Sequence, residues 1–458
     1  MNKEKVKKIF GVQRLVKSGL FAAFIIIIAF IGILWFARPK TSEVEKRDLT
    51  KFPKLTLAGI WDGSFFSDVD TWYADTYPLR EGLISSYHSL QSRYGIRTSQ
   101  IIAAQPEEEI EEDEPQAGIP AVTGQDEPQT TADPEAGLKE GLGDIDAPAE
   151  PVGGIYIAKD SGYGLYSYSA KNSLRYSQLL NRLASNLSGK AKVYSLIAPI
   201  SAGIMLSDKT RESIGCDDQN PAIETMLSNM DDSIGKVNVH HTLKRHNTEY
   251  IFFRTDHHWT ALGAYYSYRE FCKVKGIEPE ELSSYRTMEF KGFLGTFYQQ
   301  SRRNPALGAN PDTVTAYIPN DTNDMTCYMK QGDSYKEYSW KIIYDVTNYP
   351  QGEKYNCFAA SDQAYNYVHN EKKTDGTSIL VVKDSYGNAM IPFLIDHYEH
   401  IYWIDYRYYS SFVRWKGGAD SSVSALVTEK GIKDVLILNN INFTGANSTL
   451  DLFDKLYR

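Results

Sequence analysis

Short apolar runs of strand length recur along this chain, separated by stretches with helical periodicity, and that alternation limits the fold more than any other feature. Residues 192–199 (Lys-Val-Tyr-Ser-Leu-Ile-Ala-Pro) read as a buried strand ending in a turn. Residues 378–383, 401–404 and 434–439 read as further strands, and 174–187, 259–275, 387–397 and 423–430 as helices. A strand apolar on both sides must be covered on both faces, and strands joined through helices run parallel. The pattern predicts an α/β protein with a mostly parallel sheet between helical layers. Residues 290–368 lack long helical periodicity and are rich in Tyr, Thr, Asn, Asp and Gly, which predicts a β-rich insertion over roughly 285–370.

The N-terminal third has a different character. Residues 19–37 are apolar and uncharged. As a helix they would span roughly 28 Å at about 1.5 Å per residue, close to the thickness of a bilayer core. Lys3, Lys5, Lys7, Lys8, Arg14 and Lys17 precede the run, which predicts a cytoplasmic N-terminus and an extracytoplasmic remainder. No A-x-A cleavage site follows, and Trp35 and Phe36 suit an interfacial anchor, so the run reads as one uncleaved transmembrane helix rather than a signal peptide. The expected organisation is a cytoplasmic segment over 1–18, the anchor over 19–37, a membrane-proximal helical segment over 38–104, an acidic linker over 105–151, and the main domain over 152–458. Helix-like spacing over 60–73 and 79–94 supports the third of these. The linker is rich in Glu, Asp, Pro, Ala and Gly and holds no aromatic residue, so it has little to bury and reads as disordered.

Composition excludes some classes. The formal net charge is −9, much of it in that acidic block, and no basic face suggests nucleic-acid binding. The four cysteines, Cys216, Cys272, Cys327 and Cys357, are widely spaced without a CxxC, which argues against a zinc ribbon. Buried thiols are expected, with a single disulfide as the alternative. No motif calls for a cofactor.

Two stretches far apart carry the chemistry. Arg254-Thr255-Asp256-His257-His258-Trp259-Thr260 follows the apolar run 250–253 and places a carboxylate and imidazoles together. Lys383-Asp384-Ser385-Tyr386-Gly387-Asn388 follows the strand at 378 and places a serine on a strand-to-helix turn. In extended backbone Asp256 and His258 share a face and His257 points the other way. Asp256 can then orient His258, and His258 can take a proton from Ser385: the parts of an acyl-transfer triad. Backbone N–H groups at Ser385, Tyr386, Gly387 and Asn388 are candidates for holding an oxyanion, with Gly387 letting substrate approach. Asn439 and Asn440, which close another strand, are further candidates, and Arg407 is a candidate substrate contact. The plainer readings are a helix cap at Asp384 or Ser385 and ordinary turns at the asparagines. Metal ligation by Asp256, His257 and His258 ranks lower, because three ligands within three residues crowd a tetrahedral site.

The string Thr255-Asp256-His257-His258-Trp259 resembles the signature of the DHHW family of exported bacterial proteins. Together with the later Lys383-Asp384-Ser385 it is similar to the AlgJ/AlgX-type alginate O-acetyltransferases. Weaker pieces are Phe52-Pro53, Trp61-Asp62-Gly63, Asp75 to Arg80, Gly154-Ile155-Tyr156 and Tyr406-Arg407-Tyr408. The resemblance implies an SGNH-hydrolase-like α/β/α sandwich with Asp256, His258 and Ser385 as the triad. It also implies a polysaccharide acceptor and a multi-pass membrane acyltransferase as acetyl donor. The sequence departs from the SGNH pattern in having Lys383-Asp384 where Gly-Asp precedes the serine. An O-acetyl esterase and a non-catalytic polysaccharide-binding protein are the alternatives.

Overall fold

The computed structural model describes residues 38–42, 47–56, 65, 66, 69, 72, 73, 76–78, 101, 102, 154–301, 303–332 and 334–458. The expected anchor over 19–37, the linker over 105–151 and most of the helical spacing over 60–94 lie outside the described residues. Among the described residues no helix is long and apolar enough to cross a membrane.

The chain divides into two compact units, 1–97 and 98–458. In the first, strand β1 (Thr41–Ser42) pairs antiparallel with β2 (Arg47–Asp48). The Arg38 guanidinium lies 3.8 Å from the Trp72 ring centroid and donates to Thr76 Oγ1 at 2.6 Å.

The second unit opens with β3 (Ile101–Ile102), β4 (Ile155–Ala158) and β5 (Ser161–Gly164), a small antiparallel sheet. Helix α1 (Ala170–Asn186) starts where the Ser169 side chain accepts from Asn172 N. It leads into β6 (Lys192–Ala198), then α2 (Gln219–Ser228) and β7 (Gly235–Val237). Helix α3 (Ala261–Lys275) begins two residues later than its periodicity suggests, because the Thr260 hydroxyl caps it by accepting from Gly263 N. It ends at Gly276, whose φ of 79° suits glycine. Strands β8 (Arg286–Phe293) and β9 (Asp312–Ile318) form a separate antiparallel pair. Next come β10 (Asp324–Gln331), β11 (Ser334–Lys341), β12 (Tyr365–His369), β13 (Ser378–Lys383), α4 (Gly387–Leu394), β14 (His400–Asp405), α5 (Val423–Lys430), β15 (Asp434–Asn440) and α6 (Asn447–Leu456). The expected helix over 387–397 stays α-helical only to Leu394 and tightens to a 3₁₀ turn over Ile395–His397.

Eight strands make the main sheet in the order β11-β10-β12-β14-β13-β15-β6-β7. The last five in that order pair in parallel, and β10, β11 and β12 extend the sheet antiparallel. Every residue of β13 and β15 is buried, as is nearly all of β6 and β14, so both faces are covered. In β6 the Tyr194 ring packs edge-on against Phe271 of α3 at 5.3 Å. Its neighbour Ser195 faces Tyr176 of α1. The fold is thus mixed α/β around one large sheet. Strands β8 to β12 occupy the region read as β-rich, and three of them are part of this sheet. From β6 the chain crosses to β7 on one side, and from β13 to β14 on the other. Such a change of direction opens a crevice at the carboxyl ends of the strands. All four cysteines are free and buried.

Candidate active site

The first motif is a tight loop rather than a strand end. Phe252 bridges to Trp259, and Thr260 N donates to Ile251 O at 2.9 Å, which folds 253–258 back on itself. Buried Asp312, at the start of β9, holds the loop. It accepts from Thr255 N at 2.8 Å, from Thr255 Oγ1 at 2.7 Å and from Arg254 N at 3.2 Å. Asp256 closes an Asx turn by accepting from His258 N at 3.0 Å, and the same Oδ1 lies 2.6 Å from His258 Nδ1. Its Oδ2 accepts from Thr296 N at 2.8 Å and Thr296 Oγ1 at 3.1 Å. Gly295 is required here, since a Cβ on it would sit 2.3 Å from Asp256 Cβ and Oδ2. Burial alone would raise the Asp256 pKa, but the His258 and His257 rings and the Thr296 N–H outweigh it and hold the carboxyl below its ordinary range.

The second motif delivers Ser385 from the turn between β13 and α4. His258 Nε2 is 2.7 Å from Ser385 Oγ. With Nδ1–H directed at Asp256, Nε2 presents its lone pair to the serine hydroxyl. Asp256, His258 and Ser385 are therefore brought into one line of hydrogen bonds. Tyr355 stacks on the His258 ring, centroids 4.0 Å apart and planes 9° from parallel, and its hydroxyl donates to Ser385 O at 2.9 Å. The Trp259 indole donates to Tyr386 O at 3.0 Å and the Tyr386 hydroxyl donates to His257 O, which ties the two loops together.

Several expectations change. His257 does not point away: the Asx turn swings its ring to 3.8 Å from that of His258, with planes 37° apart. Its Nδ1 is 2.6 Å from Thr296 Oγ1. Because that hydroxyl gives its proton to Asp256, His257 Nδ1 is the donor and its Nε2 is left as an acceptor. Burial, and then the neighbouring His258, lower the His257 pKa and keep the ring neutral. Metal binding by Asp256, His257 and His258 is disfavoured, because these atoms are spent on hydrogen bonds and a 2.6 Å His258–Asp256 contact leaves no room for an ion.

Of the expected oxyanion donors, the N–H groups of Tyr386, Gly387, Asn388 and Asn440 are engaged elsewhere, while Asn439 Nδ2 is buried with no hydrogen-bond partner among the described residues. Tyr386 N and Asn440 N donate to the two oxygens of Asp384, at 2.9 and 2.7 Å. Gly387 N donates to Asp384 O and Asn388 N to Ser385 O. Asp384 is thus a buried brace between β13 and β15, and burial pushes its carboxyl up to about 6 despite these two N–H groups. Asn439 is buried and accepts from Tyr176 of α1 at 3.0 Å, while Asn440 Oδ1 caps the following helical turn through Asn442 N at 2.8 Å. Gly387 makes room for the protein itself: a Cβ there would meet Lys383 Cβ at 2.6 Å.

Lys383 runs under that glycine into a cluster the sequence did not reveal. Fully buried, its Nζ lies 3.3 Å from Asp405 and 3.4 Å from Asp362. Arg407 contacts Asp405 at 2.6 Å and Asp362 at 2.9 Å. Asn388 Nδ2 donates to Asp362 at 2.9 Å. Asp362 and Arg407 each keep over a quarter of their side-chain surface open. Burial would raise the Asp362 pKa, but Lys383 and Arg407 bring it below the usual range. Thr296, Tyr355, Asp312 and Asp362 each lie dozens of residues from the partner they serve, and no local signal marks them.

The fold and site define a mixed α/β protein carrying a serine, a histidine and an aspartate in hydrogen-bonded line, the serine just beyond the carboxyl end of the parallel strand β13. The chain belongs to the DHHW family, whose model, DHHW protein, matches residues 45–121 and 131–404. A DHHW family protein from Eubacterium siraeum matches at 27% identity with a TM-score of 0.56, over 66% of this chain and 95% of that one. PatB1 of Bacillus cereus, in a structure with a sulfonyl adduct, matches at 15% identity and a TM-score of 0.51, over 66% of this chain and 98% of its own. The O-acetyltransferase domain of Pseudomonas putida AlgJ matches at 10% identity and a TM-score of 0.36, over 66% of this chain and 99% of that domain. No curated protein matches significantly.

Proposed function

We propose that this chain is a serine acyltransferase, and specifically a membrane-anchored extracytoplasmic O-acetyltransferase acting on cell-surface or secreted polysaccharide in an SGNH-hydrolase-like domain. The observation that carries the reading is the Ser385–His258–Asp256 line, with contacts of 2.7 and 2.6 Å. Ser385 Oγ attacks the acyl carbon while His258 Nε2 takes its proton. The acyl group passes to the serine and the donor leaves with the proton returned by His258. An acceptor hydroxyl then gives its proton to His258, attacks the acyl-enzyme and frees Ser385. Asp256 keeps the imidazole in the tautomer this needs and offsets its charge.

The mouth suits a polyhydroxylated acceptor. Asp362 and Arg407 offer a hydrogen-bond acceptor and donors side by side, and His257 Nε2 offers a second acceptor. Exposed Tyr408 offers an apolar face next to Arg407. An acetyl donor outside the cell has to be supplied across the membrane, which calls for a multi-pass acyltransferase partner. The apolar span over 19–37 would keep the domain beside it.

The test is labelling with an aryl sulfonyl fluoride, followed by turnover of an activated acetyl ester with oligosaccharide present. Mass spectrometry should find one adduct, on Ser385, absent from Ser385→Ala, and acetylated sugar in excess of free acetate. Free acetate alone across several acceptors would mean an esterase. Neither labelling nor turnover would leave a binding protein.

A further inference from the structure

We infer that His369, His400 and Glu399 form a divalent-cation site suited to Zn²⁺, at the end of the sheet away from Ser385. His369 and His400 are direct partners across the antiparallel β12–β14 pair, and their rings stack with centroids 4.8 Å apart. Glu399 Oε1 lies 3.8 Å from His369 Nε2 and 3.5 Å from His400 Nε2. The three donor atoms fall within 4.8 Å of one another. A tetrahedral zinc with ligands at about 2.0–2.1 Å sets neighbouring donors roughly 3.4 Å apart, so small rotations of these side chains admit the ion.

The remaining atoms of two ligands are already held. His400 Nδ1 is 3.0 Å from the Tyr367 hydroxyl, and Glu399 Oε2 accepts from Gly376 N at 2.7 Å. With Nδ1–H turned to Tyr367, the His400 Nε2 lone pair faces Glu399 and His369. Outer partners of this kind fix ligand tautomer and orientation. The contrast with the triad is direct. There every ring nitrogen facing a carboxylate or hydroxyl is in hydrogen-bond contact, whereas here the converging atoms stand apart by about the spacing an ion needs.

Position decides the role. His400 begins β14 and is level with Ser378 of β13, while Asp405 is level with Lys383. Ser385 follows that far end, roughly 17 Å or more away at about 3.3 Å per residue. The ion therefore takes no part in acyl chemistry. It clamps β12 to β14 and, through Gly376, the turn that enters β13. Three protein ligands leave the fourth position to water.

The experiment uses full chain stripped with EDTA and titrated calorimetrically with ZnCl₂. One ion should bind per chain, and Co²⁺ should give visible absorption bands. His369→Gln and His400→Ala should each weaken binding by about a hundredfold or more. Tyr367→Phe, which keeps all three ligands, should weaken it by about tenfold. His258→Ala should bind normally, and every clamp variant should still take the sulfonyl label at Ser385, which reports folding independently. Undiminished binding in the His369→Gln/His400→Ala double variant overturns the assignment, as does loss of binding in His258→Ala or no binding at zinc concentrations of tens of micromolar.

Discussion

Ser385, His258 and Asp256 form a serial chain in which each group is useful only through the next, so their losses should not add. Ser385→Ala and His258→Ala should each remove nearly all turnover, and the double variant should be little worse than either. Asp256→Asn leaves the shape but offers an amide where His258 Nδ1–H needs an acceptor, so kcat should fall about 10³- to 10⁴-fold. His257→Ala should be milder, since that ring meets the triad through Thr296, stacking on His258 and a 3.9 Å approach to Asp256 but passes no proton along the line; equal damage from His257→Ala and His258→Ala would reverse the role assignment. Asp384 makes a pH prediction. Its folded pKa, about 6, is raised above the ordinary carboxylate value. The folded state therefore binds that proton more tightly, and the stability tied to it grows as pH falls through 6 toward about 4. Asp384→Asn removes this term. Urea unfolding of both proteins at pH 7 and pH 5 should show wild type gaining about 1 kcal/mol on the variant at the lower pH. An unchanged difference would mean that Asp384 titrates normally.

The elements explain which parts were legible beforehand. β6, β13, β14 and β15 announce themselves because burial on both faces makes each an uninterrupted apolar run, and the serine following one of them reads as a nucleophile rather than a helix cap only when paired with Asp256 and His258. β10, β11 and β12 carry mixed patterns, because an antiparallel edge exposes part of each strand, so their place in the main sheet could not be read. His257 departs from the alternation of extended backbone because an Asx turn at Asp256 bends the chain. The turn before Asp362 was hidden for a similar reason: Ala359, Ala360 and Ser361 all lie in the left-handed region, at φ of 49°, 58° and 62°, and none is the glycine that would signal it. Each such residue costs roughly 1–2 kcal/mol. The turn persists because Ala359 N donates to Ile342 O at 2.7 Å and Ser361 Oγ bonds Asn356 at 3.1 Å, and it sets Asp362 against Lys383, Arg407 and Asn388. Ala360→Gly should therefore raise stability by about 1 kcal/mol, against the usual sign for that change, as an upward shift in thermal midpoint. A fall would mean that the Ala360 methyl group packs better than its backbone is strained. Gly295→Ala makes the opposite case: its methyl group would displace Asp256, and the sulfonyl label at Ser385 should be lost while circular dichroism holds.

The whole molecule places every residue of the site within one compact unit. Asp256, His258, Ser385, Thr296, Tyr355, Asp362 and Arg407, with the partners described above, all belong to residues 98–458. The acidic stretch over 105–151 falls inside the family match yet is interrupted there, with residues 122–130 unmatched. Its composition offers almost nothing to bury, so cutting it should cost the fold little. A glutamate-specific protease has many targets in it and should nick the intact protein there first. The nicked protein should keep its thermal midpoint within about 2 °C, label at Ser385 at the uncut rate, and still transfer acetyl to soluble oligosaccharide. Transfer from a membrane-borne donor should behave differently if the span over 19–37 is what keeps the two enzymes together. After nicking, no covalent bond joins the fragment that carries the triad to the span over 19–37, β3 pairs with β4 only through hydrogen bonds, and a mild salt or urea wash should release that fragment. Released protein that reacts with an activated ester but no longer acetylates polysaccharide in membrane vesicles would place the anchor's contribution in donor access. Vesicle activity that survives release would mean that the domain finds its donor without the anchor, and loss of Ser385 labelling on nicking would show that 105–151 supports the site directly.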